Sequence, residues 1–126
     1  MIFNSSDHAE RFAAAIQTAG AVRDDDTIKG DFGASLYILT GLPSVYKRVE
    51  QHIHPGYIDF EPIFHTGLSS GETVLVALAG NLYNGGYFGG YTPHDIVSYC
   101  DADGVVLATM ALRLRKQRLD INTTFD

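Results

Sequence analysis

Apolar positions along this chain recur at helical spacing, and clean strand-type alternation is scarce. Phe12, Ile16 and Ala19 form one stripe. An Asp7/Glu10 pair with capping-box spacing precedes it and Gly20 follows it, which predicts a helix over 7–19. The polar stretch 23–33, with Asp24, Asp25, Asp26 and two glycines, predicts a solvated loop. Leu36, Tyr37, Ile38 and Leu39 form a continuous apolar run that suits either a buried strand or a buried helix. Phe32, Leu36 and Leu39 keep helical spacing, so a helix ending at Gly41 is favoured. Pro43 opens the next helix, with Val45, Val49 and Ile53 on one face. His54-Pro55-Gly56 breaks the pattern, and 57–64, interrupted by Pro62, reads as an extended arm or a single helical turn.

The clearest signal lies in the middle of the chain. Ser69 and Glu72 make a capping box at the head of an apolar run. Leu75, Leu78 and Leu82, joined by Val74 and Ala79, give that helix one apolar face, and Asn84-Gly85-Gly86 stops it. It is the predicted central helix of the core. Residues 85–91, Gly-Gly-Tyr-Phe-Gly-Gly-Tyr, read as a flexible aromatic loop. Thr92 then caps a helix with Pro93 in its first turn, Asp95 near the positive end of its dipole, and Ile96, Val97 and Tyr99 as apolar members. Asp101 or Asp103 caps a last helix in which Val106, Met110 and Leu114 share a face with Leu107 and Ala111. The final residues are expected to fray. The fold class expected is mainly α: one domain, a compact bundle of five or six short helices, with a small β-hairpin near 57–64 or 85–91 as the local alternative.

Composition agrees with such a domain. With 126 residues, 45% hydrophobic and 19% charged, the chain has the make-up of a globular core rather than of a disordered segment. Cys100 is the single cysteine, so an internal disulfide is excluded. Residues 1–7 show no basic region followed by an apolar run, the longest apolar stretch is too short to cross a bilayer, and no lipidation motif stands at the end. The expectation is a cytoplasmic protein without membrane contact. The net charge of −6 is uneven: Arg113, Arg115, Lys116 and Arg118 against Asp120 and Asp126 leave +2 over 113–126 and −8 elsewhere. An acidic body repels a phosphate backbone, which argues against direct nucleic-acid binding and suits a basic protein partner.

Candidate chemistry is thin. His52 and His54, with Asp59, Glu61, His65 and His94 further on, are metal-capable residue types, but no His-Glu-x-x-His or cysteine pair accompanies them. Ser5, Ser6, Asp7 and His8 adjoin each other, yet helix capping explains Ser6 and Asp7 more simply than catalysis. No Gly-x-Ser-x-Gly elbow is present, and Cys100 has only His94 near it in sequence. The glycine-rich segment ends a helix instead of starting one and lacks the P-loop lysine. What stands out is the concentration of Tyr87, Phe88 and Tyr91 among four glycines. Such rings are anchors for a partner surface or a stacked base, unless they fold back onto the core.

Four stretches carry a resemblance: Phe3–Phe12, Leu36–Pro43, Leu68–Gly86 and Ala111–Arg115. Together they resemble a small uncharacterised family of Gram-positive bacteria with members on phages and other mobile elements. The resemblance implies bacterial cytoplasm and supplies no catalytic residues; no cofactor is expected. Small acidic proteins in that setting bind and inhibit host or defence proteins. Two binding readings follow. In the first, the aromatic loop and the Asp24–Asp26 surface dock a protein partner. In the second, Tyr87, Phe88 and Tyr91 stack on a nucleotide base while Arg113, Arg115 or Lys116 holds phosphate. A third reading is a small hydrolase using His52, His54, Asp59 or His94. A symmetric homodimer is compatible with each.

Overall fold

The computed structural model describes residues 3–117 and 119–120. Arg118 of the basic cluster and the terminal residues expected to fray lie outside the described residues. Six α-helices make up most of the described chain: α1 Ser6–Ala19, α2 Gly30–Gly41, α3 Pro43–Val49, α4 Ser70–Asn84, α5 Pro93–Tyr99 and α6 Ala102–Lys116. One-turn 3-10 helices follow at Glu50–His52 and Glu61–His65. The strands are two residues each. β1 (Thr27–Ile28) pairs antiparallel with β4 (Leu119–Asp120), and β2 (Ile53–His54) pairs antiparallel with β3 (Tyr57–Ile58). The mainly-α bundle expected from the pattern is therefore present. The small hairpin expected near 57–64 is also present: Tyr57–Ile58 is its second strand, and it turns at Pro55-Gly56, in the segment read as a break, while 85–91 forms none.

The helix at the centre is α2, not α4 as the pattern suggested. Every residue from Phe32 to Gly41 is buried. α2 packs against α1, α3, α4 and α6. A helix apolar all round has no stripe to read, because every face finds a partner. Its start also lies earlier than predicted: Asp31, Phe32 and Gly33, assigned to a solvated loop, form its first turn. The close crossing with α6 depends on Gly41, where a Cβ would come within 2.5 Å of Leu107 Cδ2.

Local end signals are used much as the sequence writes them, with shifts of a residue or two. α1 is capped by Ser5, whose hydroxyl accepts the His8 N–H at 3.0 Å, so Asp7 sits inside the first turn rather than at the cap. Gly20 closes α1, as expected. α3 ends at Val49, and Ile53 reaches the core from β2 instead of from the helix face. In α6 the cap is Asp101, which accepts the Gly104 N–H at 2.8 Å. The buried face of α6 is Gly104, Leu107, Ala108, Ala111 and Leu114. Val106, assigned to that face from the pattern, is 58% exposed. α5 buries no residue, and its Val97 and Tyr99 point to solvent. Among the described residues no helix is long and apolar enough to cross a membrane.

α4 carries the best-formed cap. Ser69 Oγ accepts the Glu72 N–H at 3.2 Å, and the Ser69 N–H donates to Glu72 Oε1 at 2.8 Å. Ser44 Oγ donates to the other carboxylate oxygen at 2.7 Å. These donors, the Ser69 N–H first, hold the Glu72 carboxyl below its ordinary pKa. Ser69→Ala is expected to cost about 1 kcal/mol, read as a lower urea midpoint with an unchanged slope. An unaltered midpoint would show that the box contributes nothing.

Candidate functional site

The aromatic loop, α4, α5 and α6 enclose a cleft of about 300 Å³. Its floor comes from one side of α4, through Val74, Ala77, Leu78 and Asn81. Pro93 and Ile96 of α5 and Leu112 of α6 form the far wall, and Tyr87, Phe88 and Tyr91 form the near one. α5 and the loop are held in place by end signals. Gly85, with φ at 75°, turns the chain out of α4, and Asn84 Oδ1 accepts the Gly86 N–H at 2.8 Å. Asn81 Nδ2 donates to the Gly86 carbonyl at 3.1 Å. At the other end Asp95 Oδ2 accepts the Thr92 N–H at 2.7 Å and starts α5.

The three rings of the loop divide their roles. Phe88 turns inward, stacked on Phe64 with centroids 5.3 Å apart and tilted against Phe60 at 5.7 Å. Tyr87 and Tyr91 stay out, 86% and 44% exposed. So the loop is part core and part display. Leu112, missed by the sequence reading, lines the cleft and is 52% exposed. Val97 follows the lining residue Ile96 and is 70% exposed. The signal for Leu112 was present: it is the large apolar residue of α6 left over on the exposed side of the helix.

The charged candidates do not gather at the cleft. Arg113, Arg115 and Lys116 are exposed on the last turn of α6, and none of them lines it. Arg115 Nε donates to the Leu82 carbonyl at 2.8 Å, tying α6 to the end of α4. Arg11, Arg23 and Arg48 likewise donate to the backbone carbonyls of Thr40, Ile28 and Thr66. Between described residues one basic nitrogen lies within 4.0 Å of a carboxylate oxygen, His65 Nε2 at 3.5 Å from Glu61 Oε1, with both side chains exposed. Asp24, Asp25 and Asp26 are exposed on the turn before β1. Asp25 Oδ1 accepts the Thr27 N–H at 3.1 Å, so it shapes that turn as well as carrying charge.

Of the histidines and carboxylates singled out for a metal or a hydrolase, Glu61 and His65 meet as a pair, and the others join no shared site. His54 stacks on Tyr57 at 4.7 Å, and His94 Nε2 lies 3.2 Å from Ser98 Oγ. Among the described residues no three His, Cys, Asp or Glu side chains converge in a way that could hold a metal ion. Cys100 sits at the end of α5, with Sγ 3.7 Å from the Gly71 carbonyl. Burial, then the neighbouring Asp101, pushes its thiol pKa up, the wrong direction for a nucleophilic thiolate. No family model, no curated protein and no solved structure matches the chain.

Proposed function

We propose that this protein is a non-enzymatic binding protein whose aromatic cleft receives an apolar anchor from a protein partner. One observation carries the reading: Tyr87 and Leu112 line a cleft yet remain 86% and 52% exposed, so large apolar groups stand ready on a concave surface. Exposed apolar surface around a recess marks interaction sites, and tyrosine is enriched among the residues that dominate binding energy. The chain carries a net charge of −6. That charge would steer a basic partner, with an association rate that falls as salt rises. The exposed Asp24–Asp26 turn supplies three of the negative charges. The resemblance to a family found on phages and mobile elements supports a bacterial, cytoplasmic setting and an inhibitor of a host or defence protein, by analogy.

A nucleotide-like ligand is the second reading, favoured by the size of the cleft, at the lower end of the usual range for ligand pockets, and by its aromatic walls. Against it, no cation is among the residues that line the cleft. The two readings separate in one experiment. Wild-type protein, a Tyr87→Ser/Leu112→Ser variant and an Asp24→Lys/Asp25→Lys/Asp26→Lys variant are used as baits in a Gram-positive lysate, and the eluates are weighed by native mass spectrometry. The expected result is a stoichiometric protein on the wild type, with affinity reduced roughly 100-fold or more by the cleft variant. The charge variant should mainly slow association. Equal affinity of the wild type and the cleft variant overturns the docking reading. A released mass of a few hundred daltons in place of a protein selects the ligand reading.

A further inference from the structure

The segment that walls the cleft is built as a bolt between two hinges. Gly85-Gly86 and Gly89-Gly90 bracket Tyr87 and Phe88, and Gly85, Gly89 and Gly90 all have positive φ, at 75°, 91° and 70°. The Phe88 ring lies in a seat that exists only because two other residues lack side chains. A Cβ at Gly80, in the middle of α4, or at Gly86 would come within 2.5 Å of Phe88 Cε2. Glycine in a helix interior costs about 1 kcal/mol relative to alanine, so Gly80 is a local weakness for α4. The packing that it permits is the Phe88 ring. The other side of the seat is aromatic, from Phe60 and Phe64.

Phe88 is also one wall of the cleft. We infer that residues 85–91 form a latch: Phe88 withdraws from its seat against Gly80, Phe60 and Phe64 without unfolding the bundle, and withdrawal joins the cleft to that seat. The latch deepens the binding reading above, since it sets how large an apolar anchor the cleft admits. Four features make the motion local. The hinges are glycines, and backbone hydrogen bonds between 85–91 and the rest of the chain are confined to the Gly85 and Gly86 end. Phe88 is only half-buried, whereas the α2 side chains are fully enclosed. α5, on the far side of the loop, buries nothing of its own.

The test is a double-mutant cycle on Gly80→Ala and Phe88→Ala, read by thermal unfolding and by amide hydrogen exchange, and it needs no partner. With the ring in place, Gly80→Ala should displace the latch. Exchange of the Gly86 amide, which is held by Asn84 Oδ1, should rise about tenfold or more while α2 exchange stays as in the wild type. In the Phe88→Ala background the same alanine meets no ring and should raise the melting temperature, as helix propensity alone predicts. Opposite or unequal signs of the Gly80→Ala effect in the two backgrounds, with loop-confined exchange, support the latch. Two results overturn it: faster exchange spread equally over α2 and α4, which makes Phe88 a fixed core residue, or unchanged exchange at Gly86, which means that the ring holds nothing. Either result leaves the docking reading standing, because that reading is decided by the bait experiment alone.

Discussion

Leu36→Ala should lower the stability of this protein by about 3 kcal/mol, within the usual 2–5 kcal/mol for a buried leucine. Leu36 is fully buried in α2, whose whole length from Phe32 to Gly41 is enclosed. The cost has two parts. One is the transfer term for the lost methyl and methylene groups, and the other is the cavity left behind. The cavity term is large where neighbours cannot collapse inward. α2 is held by α1, α3, α4 and α6 together, so no loose side exists from which to refill the space. A loss of this size is a large share of the roughly 5–15 kcal/mol that a single domain has in total. In urea the midpoint should fall with little change in slope, and the melting temperature should drop by roughly 10 °C. Leu112→Ala serves as the comparison, since that leucine is 52% exposed and its loss should cost about 0.5 kcal/mol or less. Comparable losses for the two leucines would mean that α2 is not the centre of the core.

How much of this was legible in the sequence depended on range. α4 was read almost to the residue, because Ser69, Glu72 and Gly85 signal its ends through bonds within a few positions. The first cap was placed two residues late, since Ser5, Asp7 and Glu10 offer competing cap chemistry and only the fold chooses Ser5. α2 was recognised as helix over Leu36–Leu39 but not as the centre, because burial on every face leaves no periodicity. Its first turn was lost to the turn-like letters Gly30 and Asp31. In α6 a search for large apolar residues selected Val106. The true contact face is carried by Gly104, Ala108 and Ala111, whose small size allows the helices to approach. The ladder between Thr27–Ile28 and Leu119–Asp120 joins positions some ninety residues apart and left no local trace.

The site divides along the same line. Tyr87, Phe88 and Tyr91 were visible as rings among glycines, a composition that few loops share. Their partners were not, because Leu78, Ile96 and Leu112 come from three different helices and meet only in the folded chain. The arginines misled in the opposite way. Clustered at the end of the sequence, Arg113 and Arg115 suggest an anion site, but Arg115 is used to hold the α4 end through the Leu82 carbonyl. His8 follows Ser5, Ser6 and Asp7 in a polar run that carries no sign of burial. Its burial comes from Phe3 on one side and Tyr37 on the other, with ring centroids 5.1 Å and 4.7 Å away.

That buried histidine should make the fold acid-sensitive. His8 is 0% exposed, its Nε2–H donates to the Tyr37 carbonyl at 2.9 Å, and its Nδ1 accepts the Asn4 N–H at 3.3 Å while abutting the Asn4 side-chain amide. Burial lowers its pKa from 6.5 to about 4; the bond to Tyr37 opposes the shift, and the nearby Arg11 charge adds to it. The unfolded chain therefore binds a proton at about pH 6.5, and the folded chain refuses it until about pH 4. The unfolded state holds more protons across that window, so stability rises with pH inside it and is fully present above it. On acidification the loss begins near pH 6.5 and reaches about 2 kcal/mol by pH 5, tending to about 3 kcal/mol near pH 4. Glu72, held below its ordinary carboxyl pKa, adds a loss of the same sign at lower pH. Urea unfolding at pH 7, 6 and 5 checks this against His8→Gln, whose amide can donate to the Tyr37 carbonyl but does not titrate. The variant should start less stable at pH 7 and lose much less between pH 7 and 5. Parallel losses in the two proteins would place the acid sensitivity elsewhere and leave His8 as packing alone.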